Sequence, residues 1–404
     1  MATIKYWAQI FLLPIYWFSF IIPKNKKIWV CGSSFGKRFA DNPKYLYLYL
    51  NQYQKSNIRT IWISSEPKII QFLKENGYEA YLNGSFKGIF YCLRAKVYIF
   101  DNYSKDISFW LSGGAIKINL WHGVGNKKIN YDNKFDAVRH PKNIWEKFKT
   151  YLRRLSDEKP SHYILATSPI MGDIFAGAFQ VPRNHIIEAG YPRNDMLVSQ
   201  EIQNLYTEQE KKCVQQLKKF KDMGKTILFY MPTFRDSETQ FFEVMDLERW
   251  NNFLERNHFV FCPKLHPKSK LQEKFNNINT GKNKSNIFLI PAQIDSYGVL
   301  QYADLLITDY SSIYSDFLML NRPSVLFPYD YETYLTDTRE EYFSYDEYMP
   351  EPKAKNMEEL MEYIKRVCGQ DTYQSEREKV RTWMFTYTDG KSSERIYEKI
   401  QELL

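Results

Sequence analysis

Short apolar runs alternate with segments of helical periodicity along most of the chain. In the first half, six apolar runs each predict a buried strand: Ile28–Gly32, Thr60–Ser65, Ala95–Asn102, Ile116–Gly123, Tyr163–Ser168 and Ile186–Gly190. Helical segments such as Pro43–Lys55 and Pro67–Asn76 lie between them. Continuous apolar strands that alternate with helices are typical of a parallel sheet covered on both faces.

The same alternation starts again after a charged helical segment, Glu201–Gly224. Five more runs predict strands: Thr226–Arg235, Phe259–Pro267, Asn286–Pro291, Leu305–Ser311 and Ser324–Asp330. Three helices follow: Met357–Cys368, Tyr373–Phe385 and Ser392–Leu403. The pattern predicts two doubly wound α/β domains, residues 24–205 and 206–404, and the last helix is a candidate to cross back to the first domain. Since ligands bind beyond the carboxyl ends of such strands, we expect the two domains to face a cleft.

Residues 1–23 form a segment of a different kind. Tyr6–Ile22 is uncharged and rich in aromatic residues, and three lysines follow it within five positions. The segment barely reaches the length of a membrane span, and it carries Pro14 at its centre. Rings followed by lysines suit a helix that lies in the headgroup region. We expect peripheral association with the cytoplasmic face of the membrane; a helix packed on the domain and a true span are the alternatives.

The composition narrows the range of partners. Aromatic residues make up 17% of the 404 residues, with 31 Tyr and 9 Trp, which suits interfaces and carbohydrate-like ligands. The net charge of +8 suits a membrane surface, a phosphate polymer or a nucleotide. Because this charge is dispersed and no nucleic-acid motif is present, nucleic acid is not an expected partner. The five cysteines form no CxxC pair, which indicates reduced thiols in a cytosolic protein and argues against structural zinc.

Several predicted strands end in polar clusters rather than in plain turns. They are Leu120–Gly123, Met231–Asp236, Pro263–Pro267 and Thr308–Ser312. In the last cluster a strand runs into a helix through Ser311 and Ser312, so hydroxyls and free backbone N–H groups gather at a helix start. Such a start is an anion site, and phosphate is its usual occupant.

Two of the six histidines, His122 and His266, lie at these strand ends. Imidazole titrates near neutral pH and suits general acid–base chemistry. A core or capping role is the alternative for each. His140, His162, His185 and His258 lie in loops or at strand starts, and we interpret them as structural.

Six short motifs, in this order, carry a resemblance to a known family. They are WHG at 121–123, GYPRND at 190–195, PTFRD at 232–236, KLHP at 264–267, TDYSSIYSDF at 308–317 and DGKSSERI at 389–396. The chain from about Lys27 onward resembles the CDP-glycerol glycerophosphotransferases of teichoic acid and capsule synthesis. The resemblance implies a GT-B fold of two Rossmann-like domains, with no cofactor and no catalytic metal.

The resemblance also implies a reaction and roles for particular residues. An acceptor hydroxyl attacks the β-phosphorus of CDP-glycerol, glycerol phosphate is transferred, and CMP leaves. His122 is then the general base, or a hydrogen-bond partner of the acceptor, and His266 meets the diphosphate or the departing oxygen. Arg235 offers a planar fork for phosphate oxygens, and Ser311 and Ser312 offer hydroxyls and N–H groups.

The remaining candidates leave alternatives open. On the donor side, Lys264 either adds positive charge or is solvated. Thr308 and Asp309 belong to the anion-site cluster, where Asp309 has a structural or ribose role. Asp316 either contacts the glycerol hydroxyls or lies on the surface. On the acceptor side are Gly123, Arg193 and Asp195, of which the last two either form an internal ion pair or line the acceptor site.

We therefore expect an enzyme that transfers glycerol phosphate from CDP-glycerol to a polyprenyl-diphosphate-linked glycan in teichoic acid or capsule synthesis. Use of CDP-ribitol or another nucleotide-polyol is one alternative, and nucleotide-sugar glycosyl transfer is a more distant one. A non-catalytic, membrane-bound scaffold of the same fold is the alternative from another class. Single addition and polymerisation both stay open.

Overall fold

The structure is a computed structural model of the full chain. It describes residues 8–157, 161–199, 201–235, 239–279, 286–331 and 340–404. The chain divides into two compact units. Unit 1 comprises residues 1–122, 128–204 and 384–404, and unit 2 comprises residues 123–127 and 205–383. Unit 2 thus includes the short segment Gly123–Lys127, and unit 1 includes the C-terminal segment Met384–Leu404.

Unit 1 is built on a seven-stranded sheet in which neighbouring strands pair in parallel. Its strands, in chain order, are β1 Asn25–Cys31, β2 Arg59–Ser64, β3 Ala80–Leu82, β4 Ala95–Phe100, β5 Ile116–Asn119, β6 Tyr163–Ala166 and β7 Ile186–Glu188. They lie in the order β3-β2-β1-β4-β5-β6-β7. The direction of the strand order reverses between β1 and β4, so the ligand-binding crevice is expected there.

Two of the helices on this sheet begin at serines whose side chains accept from an early amide. The helices of unit 1 are α1 Leu13–Ile21, α2 Asp41–Tyr53, α3 Pro67–Glu75, α4 Phe86–Arg94, α5 Ile144–Asp157, α6 Pro169–Phe179, α7 Pro192–Val198 and the C-terminal α17 Ser392–Glu402. The Ser85 hydroxyl accepts from Gly88 N–H and starts α4, and Ser168 does the same for α6 through Met171 N–H. One core cluster covers a face of the central strands and includes Val30, Ile61 and Phe100.

Unit 2 contains a four-stranded parallel sheet in the order β11-β10-β8-β9. The strands are β8 Thr226–Tyr230, β9 Phe259–Pro263, β10 Leu305–Thr308 and β11 Ser324–Leu326. The strand predicted over Asn286–Pro291 is wrong: this segment makes only isolated bridges, from Ile287 to Phe261 and from Ile290 to Lys264. Pro263 and Pro291 lack N–H donors, which shortens the ladder at this end.

The helices of unit 2 surround an aromatic core. They are α8 Glu208–Asp222, α9 Thr239–Val244, α10 Leu247–Arg256, α11 Leu271–Asn279, α12 Tyr297–Leu300, α13 Ile313–Phe317, α14 Tyr345–Tyr348, α15 Met357–Gly369 and α16 Gln374–Met384, whose last residue belongs to unit 1. A capping box of Thr207 and Glu210 starts α8. Tyr230, Trp250 and Phe261 are buried in the core of this unit.

The N-terminal segment packs on unit 1 with one face only. The ring of Tyr16 stacks on Phe109 at a centroid distance of 4.5 Å, and Ser19 Oγ accepts from Gly113 N–H at 2.8 Å. The opposite face leaves Phe11, Trp17 and Ile21 exposed to 82%, 63% and 71%. Across the described ranges, no helix has both the length and the hydropathy needed to cross a membrane.

A buried carboxyl in unit 2 makes a pH-dependent contribution to stability. Glu351 accepts a 2.6 Å hydrogen bond from Tyr314 Oη, and Arg377 Nη1 lies 3.8 Å from its other oxygen. Burial raises the pKa of Glu351 from 4.5 to about 7. Because the folded-state pKa is the higher one, the folded chain binds the extra proton. The stabilisation of the fold by protonated Glu351 is fully present below pH 4.5 and is lost as the pH rises through 7.

We expect Glu351→Gln to remove this pH dependence. The native chain loses this stabilisation as the pH rises and the variant does not. The free energy of unfolding of the variant minus that of the native chain should therefore increase by up to about 3 kcal/mol between pH 4.5 and pH 7.5. Urea unfolding at a series of pH values measures the difference. Glu362→Gln, at an exposed position of α15, is the matched control. A constant difference between Glu351→Gln and the native chain across this pH range would contradict the assignment.

Candidate functional site

In unit 1, three loops meet beyond the carboxyl ends of β1, β4 and β5. Ser33 Oγ donates to Asp101 Oδ2 at 2.6 Å, and Ser34 N–H donates to Asp101 Oδ1 at 3.1 Å, so the loop after β1 is tied to the end of β4. Asn119, the last residue of β5, accepts from Trp121 N–H at 2.8 Å. These contacts place the loop that carries His122 at the reversal point of the sheet, as the topology rule predicts.

The side chain of His122 is exposed and held by one ring nitrogen. Nδ1 lies 2.9 Å from the main-chain oxygen of Asp101. Because a carbonyl oxygen only accepts, Nδ1 carries the proton of the neutral ring. The lone pair then lies on Nε2, which has no partner among the described residues. This arrangement presents a proton acceptor to solvent, as a general base requires.

Buried polar side chains hold the main chain on both sides of this ring. Asn42 Nδ2 donates to the carbonyl oxygens of Leu120 and Trp121, and Arg193 Nη1 donates to that of His122 at 2.7 Å. Trp121 has a φ of +51°, a left-handed conformation that is costly for a bulky residue. The hydrogen bonds on both sides therefore stabilise a strained turn that carries His122.

Beneath the ring lies a pair of buried carboxyl groups that the motifs did not reveal. Asp106 Oδ1 accepts from Phe35 N–H at 2.7 Å, and Asp106 Oδ2 accepts from Asn102 N–H at 2.8 Å. Burial raises the pKa of Asp101, and burial together with Asp101 raises the pKa of Asp106 well above its usual value. Each carboxyl of the pair is therefore more readily protonated than a free aspartate. Both groups fix the Asp101 carbonyl that holds His122.

Arg193 and Asp195 are both buried and have different partners. Arg193 Nη1 pairs with Asp41 at 2.8 Å as well as with the His122 carbonyl. Asp195 accepts from the N–H groups of Ser392 and Ser393 at 2.9 Å and from Ser393 Oγ at 2.8 Å, at the start of α17. Burial raises the pKa of Asp195 to about 6. Of the two alternatives, an internal ion pair between Arg193 and Asp195 is not formed; each side chain instead has its own partners inside unit 1.

The glycine of the GYPRND motif explains how α17 approaches so closely. Gly190 has a φ of +83°, and an added Cβ would lie 2.5 Å from Ser392 Oγ. A side chain at this position would push the start of α17 away from Asp195. The motifs GYPRND and DGKSSERI thus meet within unit 1.

In unit 2, the strand order reverses between β8 and β10, and the expected anion site follows β10. Ser311 is half-buried and Ser312 is exposed. The first main-chain bonds of the following turn run from Tyr314 N–H to Ser311 O and from Ser315 N–H to Ser312 O. The amides that precede Tyr314 lie outside the turn's own ladder. The amides of Ser311 and Ser312 thus take no part in the hydrogen bonds of this turn.

Gly123 lies in unit 2 rather than with the acceptor-side residues of unit 1. A Cβ added to Gly123 would lie 3.7 Å from Ser312 Oγ, and one added to Gly125 would lie 3.6 Å from Ser312 Cβ. Ser315 Oγ also donates to the carbonyl of Val124 at 2.7 Å. The glycine loop that follows His122 in the chain is thus part of the surroundings of the Ser-Ser turn.

Arg235 does not offer the free fork that the sequence suggested. Its Nη1 pairs with Asp309 at 2.7 Å and donates to Thr233 O at 2.8 Å. Its Nη2 donates to Asp330 Oδ1 at 2.8 Å, and its Nε contacts Asp330 Oδ2. The guanidinium is 11% exposed, and the Asp309 side chain is 1% exposed. Burial alone would raise the pKa of Asp330, but the hydrogen bonds from Arg235 lower it.

The other donor-side candidates hold strand ends together. Thr308 Oγ1 donates to Met231 O at 2.7 Å, and Lys264 Nζ donates to Ala292 O at 3.0 Å. Asp309 accepts from Thr233 N–H and Oγ1 at 2.9 and 2.8 Å. Asp316 accepts from Tyr297 Oη at 3.0 Å. Lys264 and Asp316 are buried, so the alternatives of a solvated lysine and a surface aspartate are wrong.

His266 is exposed and presents the opposite tautomer to that of His122. Its Nδ1 accepts from Lys268 N–H at 3.2 Å, and its ring lies 4.8 Å from that of Phe234. Because an N–H group only donates, the proton of the neutral ring lies on Nε2. The neutral ring thus carries its proton on Nδ1 in His122 and on Nε2 in His266. Within the described ranges, no group of three His, Cys, Asp or Glu side chains has metal-binding geometry.

The chain matches a family model described as CDP-Glycerol:Poly(glycerophosphate) glycerophosphotransferase over residues 15–402. It is 27% identical over 397 residues to a teichoic acid glycerol-phosphate transferase of Staphylococcus aureus, covering 93% of each chain. It is 28% identical over 392 residues to a teichoic acid poly(glycerol phosphate) polymerase of Bacillus spizizenii, covering 94% of this chain and 93% of the relative.

Among solved structures, the chain is similar to the wall teichoic acid polymerase TagF. The TM-score is 0.72 at 23% identity, and the match covers all of this chain and 98% of the other. This likeness and the two parallel sheets confirm the α/β class and fit the GT-B fold.

Proposed function

Because the chain belongs to the CDP-glycerol:poly(glycerophosphate) glycerophosphotransferase family, we propose that it transfers glycerol phosphate from CDP-glycerol to a hydroxyl of a lipid-linked glycan. Membership of this family supports CDP-glycerol-dependent transfer in teichoic acid synthesis. Our proposal adds that the acceptor is lipid-linked and that the product can belong to a capsule. The observation that carries the proposal is the tautomer of His122, with Nδ1 bound and Nε2 available.

In the proposed step, one proton moves, one bond to phosphorus forms and one bond to phosphorus breaks. His122 Nε2 takes the proton of the acceptor hydroxyl as its oxygen forms a bond to the β-phosphorus. The bond from this phosphorus to the bridging oxygen breaks, and CMP leaves with the electron pair. His122 then releases its proton to solvent. Phosphoryl transfer depends mainly on positioning and on stabilisation of the oxygens, so one well-placed base is sufficient for the hydroxyl.

The donor side is proposed to act through hydrogen-bond donors. Ser311 and Ser312 supply hydroxyls and the amides at the start of the turn, and His266, which follows β9, is assigned to the diphosphate or the departing oxygen. Arg235 has a supporting role in this proposal, because its ion pairs hold the loop after β8 against Asp309 and Asp330. Asp316 and Lys264 likewise support neighbouring segments.

The function is tested by measuring CMP release from donor nucleotides. The full-length protein is incubated with radiolabelled CDP-glycerol, or with CDP-ribitol, and a lipid-linked glycan acceptor. We expect acceptor-dependent CMP release from CDP-glycerol and transfer of the label to the acceptor. CMP release from CDP-ribitol but not from CDP-glycerol would show that the donor is CDP-ribitol. No release from either donor would overturn the transferase and favour a scaffold.

A membrane surface is the second proposed partner, and the exposed faces of two helices support it. On α1, Trp17, Phe18 and Ile21 are exposed; on α5, Trp145 and Phe148 are exposed. Aromatic rings of this kind bind at the headgroup level. Of the lysines after α1, Lys24 donates to the Leu93 carbonyl at 2.6 Å, and burial lowers its pKa to about 8. Lys27 is exposed and suits anionic lipid.

We expect Trp17→Ser with Phe18→Ser to weaken binding to phosphatidylglycerol vesicles. Removing two apolar side chains that enter the interface should lower the partition constant by at least about tenfold. Vesicle sedimentation measures the partition. Met223→Ser, which removes an apolar side chain that is 59% exposed in unit 2, is the control and should change little. Equal partition of the double variant and the native chain would refute the role of α1.

A further inference from the structure

A cavity of about 500 Å³ lies at the edge of the sheet of unit 2. It opens beyond the carboxyl end of β11, where the chain continues through Pro328 to Tyr331. Its other walls come from Gln240, from α14 and from Lys353 and Lys355. Ligand pockets commonly have roughly 300–1,000 Å³, so the space suits a small organic ligand. Neither Ser311 nor Ser312 lines it.

Three tyrosines give the cavity its flat surfaces. The rings of Tyr331 and Tyr345 stack at a centroid distance of 5.4 Å with an interplanar angle of 26°. The Tyr345 hydroxyl donates to Asp309 O at 3.2 Å, which fixes that ring, and Arg235 lies 4.8 Å from the Tyr329 ring. Tyr331 is 36% exposed. The negative face of such a ring attracts weakly positive C–H groups, and its area stays apolar.

The polar groups of the cavity are balanced in charge. Of the described lining residues, Asp330 and Asp346 carry two negative charges, and Lys353 and Lys355 carry two positive ones, so the sum is zero. Lys353 Nζ lies 3.0 Å from Asp346 Oδ1, and Asp330 is held by Arg235. A diphosphate would meet two carboxylates, and of the two lysines Lys353 is already paired with Asp346. Carboxylate, amide and ammonium groups around flat rings instead suit a ligand with many hydroxyls and no charge.

We propose that this cavity binds a neutral pyranose unit. The ring faces of a pyranose carry C–H groups that can lie on Tyr331, and its edges carry hydroxyls that can bond Asp346, Lys353 and Gln240. If the chain acts as proposed above, the bound unit belongs to the acceptor glycan; this assignment rests on the proposed function, whereas sugar binding itself does not.

The test measures sugar binding without any transfer reaction. Saturation-transfer NMR on the full-length protein uses methyl glycosides of glucose and N-acetylglucosamine as probes, and CDP-glycerol in a separate titration. We expect saturation of the pyranose ring protons for at least one glycoside. Tyr331→Ala should raise its dissociation constant at least about tenfold, whereas Tyr331→Phe should retain binding because the ring remains. Tyr53→Ala, at an exposed ring of unit 1, is the control.

Three results would overturn the proposal: no saturation of either glycoside, equal binding by Tyr331→Ala and the native chain, or a tenfold loss of CDP-glycerol affinity in Tyr331→Ala. The last result would assign the cavity to the donor. CMP release is measured separately on the same variants. A chain that binds sugar but releases no CMP would contradict the transferase alone, and one that releases CMP but binds no sugar would contradict the cavity assignment alone.

Discussion

Replacing His122 by alanine is expected to lower acceptor-dependent CMP release by about 10²–10⁴-fold, the range that a general base contributes. The ring is exposed, and only Nδ1 is engaged, with the Asp101 carbonyl. Its loss therefore removes the proton acceptor and little packing. We expect the affinity for CDP-glycerol, measured by calorimetry, to change little, because the proposed role of His122 is toward the acceptor hydroxyl.

The matched control for this variant is His185→Ala. His185 also lies in unit 1, and its Nδ1 is likewise 2.9 Å from a main-chain oxygen, that of His162. The two variants therefore remove the same ring and the same kind of hydrogen bond, and we expect only His122→Ala to lose turnover. Turnover of His122→Ala within about threefold of the native rate would contradict the assignment.

Much of the fold was predictable because apolar runs in a parallel sheet mark the strands directly. The runs at Ile28, Ala95 and Leu305 all contain strands of the structure. The pattern missed β3, Ala80–Leu82, because three residues between polar segments give no detectable period. It over-predicted Asn286–Pro291, because whether an apolar run forms a continuous ladder depends on its neighbour, here the proline-terminated β9.

The candidate site was predictable in its positions and less so in its contacts. Because the carboxyl ends of parallel strands lie at one edge of a sheet, the sequence predicted that His122, His266 and the Ser-Ser turn follow strand ends. It did not reveal that Arg235 is held by Asp330, which lies 95 residues further along the chain. Asp101 also lies at a strand end and could have been noticed by the same rule, whereas its coupling to Asp106 requires the three-dimensional structure. Motifs indicate which residue types lie at the strand ends. Which of these side chains form internal ion pairs depends on the packing of distant parts of the chain.

Arg235 is the residue for which the sequence and the structure lead to opposite expectations, and Arg235→Met separates them. The guanidinium bridges Asp309 and Asp330, whose side chains are 1% and 10% exposed. Removing the cation leaves two carboxylates facing each other without compensation. Breaking a buried ion pair in this way costs about 3–5 kcal/mol. We therefore expect the free energy of unfolding in urea to fall by about that amount, with CMP release falling as the loop after β8 loses its support.

The matched control is Arg249→Met, which breaks an ion pair with Glu358 in the same unit whose side chains are 55% and 58% exposed. An exposed pair contributes at most about 1 kcal/mol, so this variant should lose little stability. Combining Arg235→Met with Asp330→Asn tests the cause, because removing one carboxylate relieves the repulsion and should recover part of the lost stability. If Arg235 were instead a free phosphate ligand, Arg235→Met would keep native stability and lose only affinity for CDP-glycerol. Partial recovery in the double variant therefore supports a structural role for Arg235, since a lost phosphate contact could not be restored by neutralising Asp330.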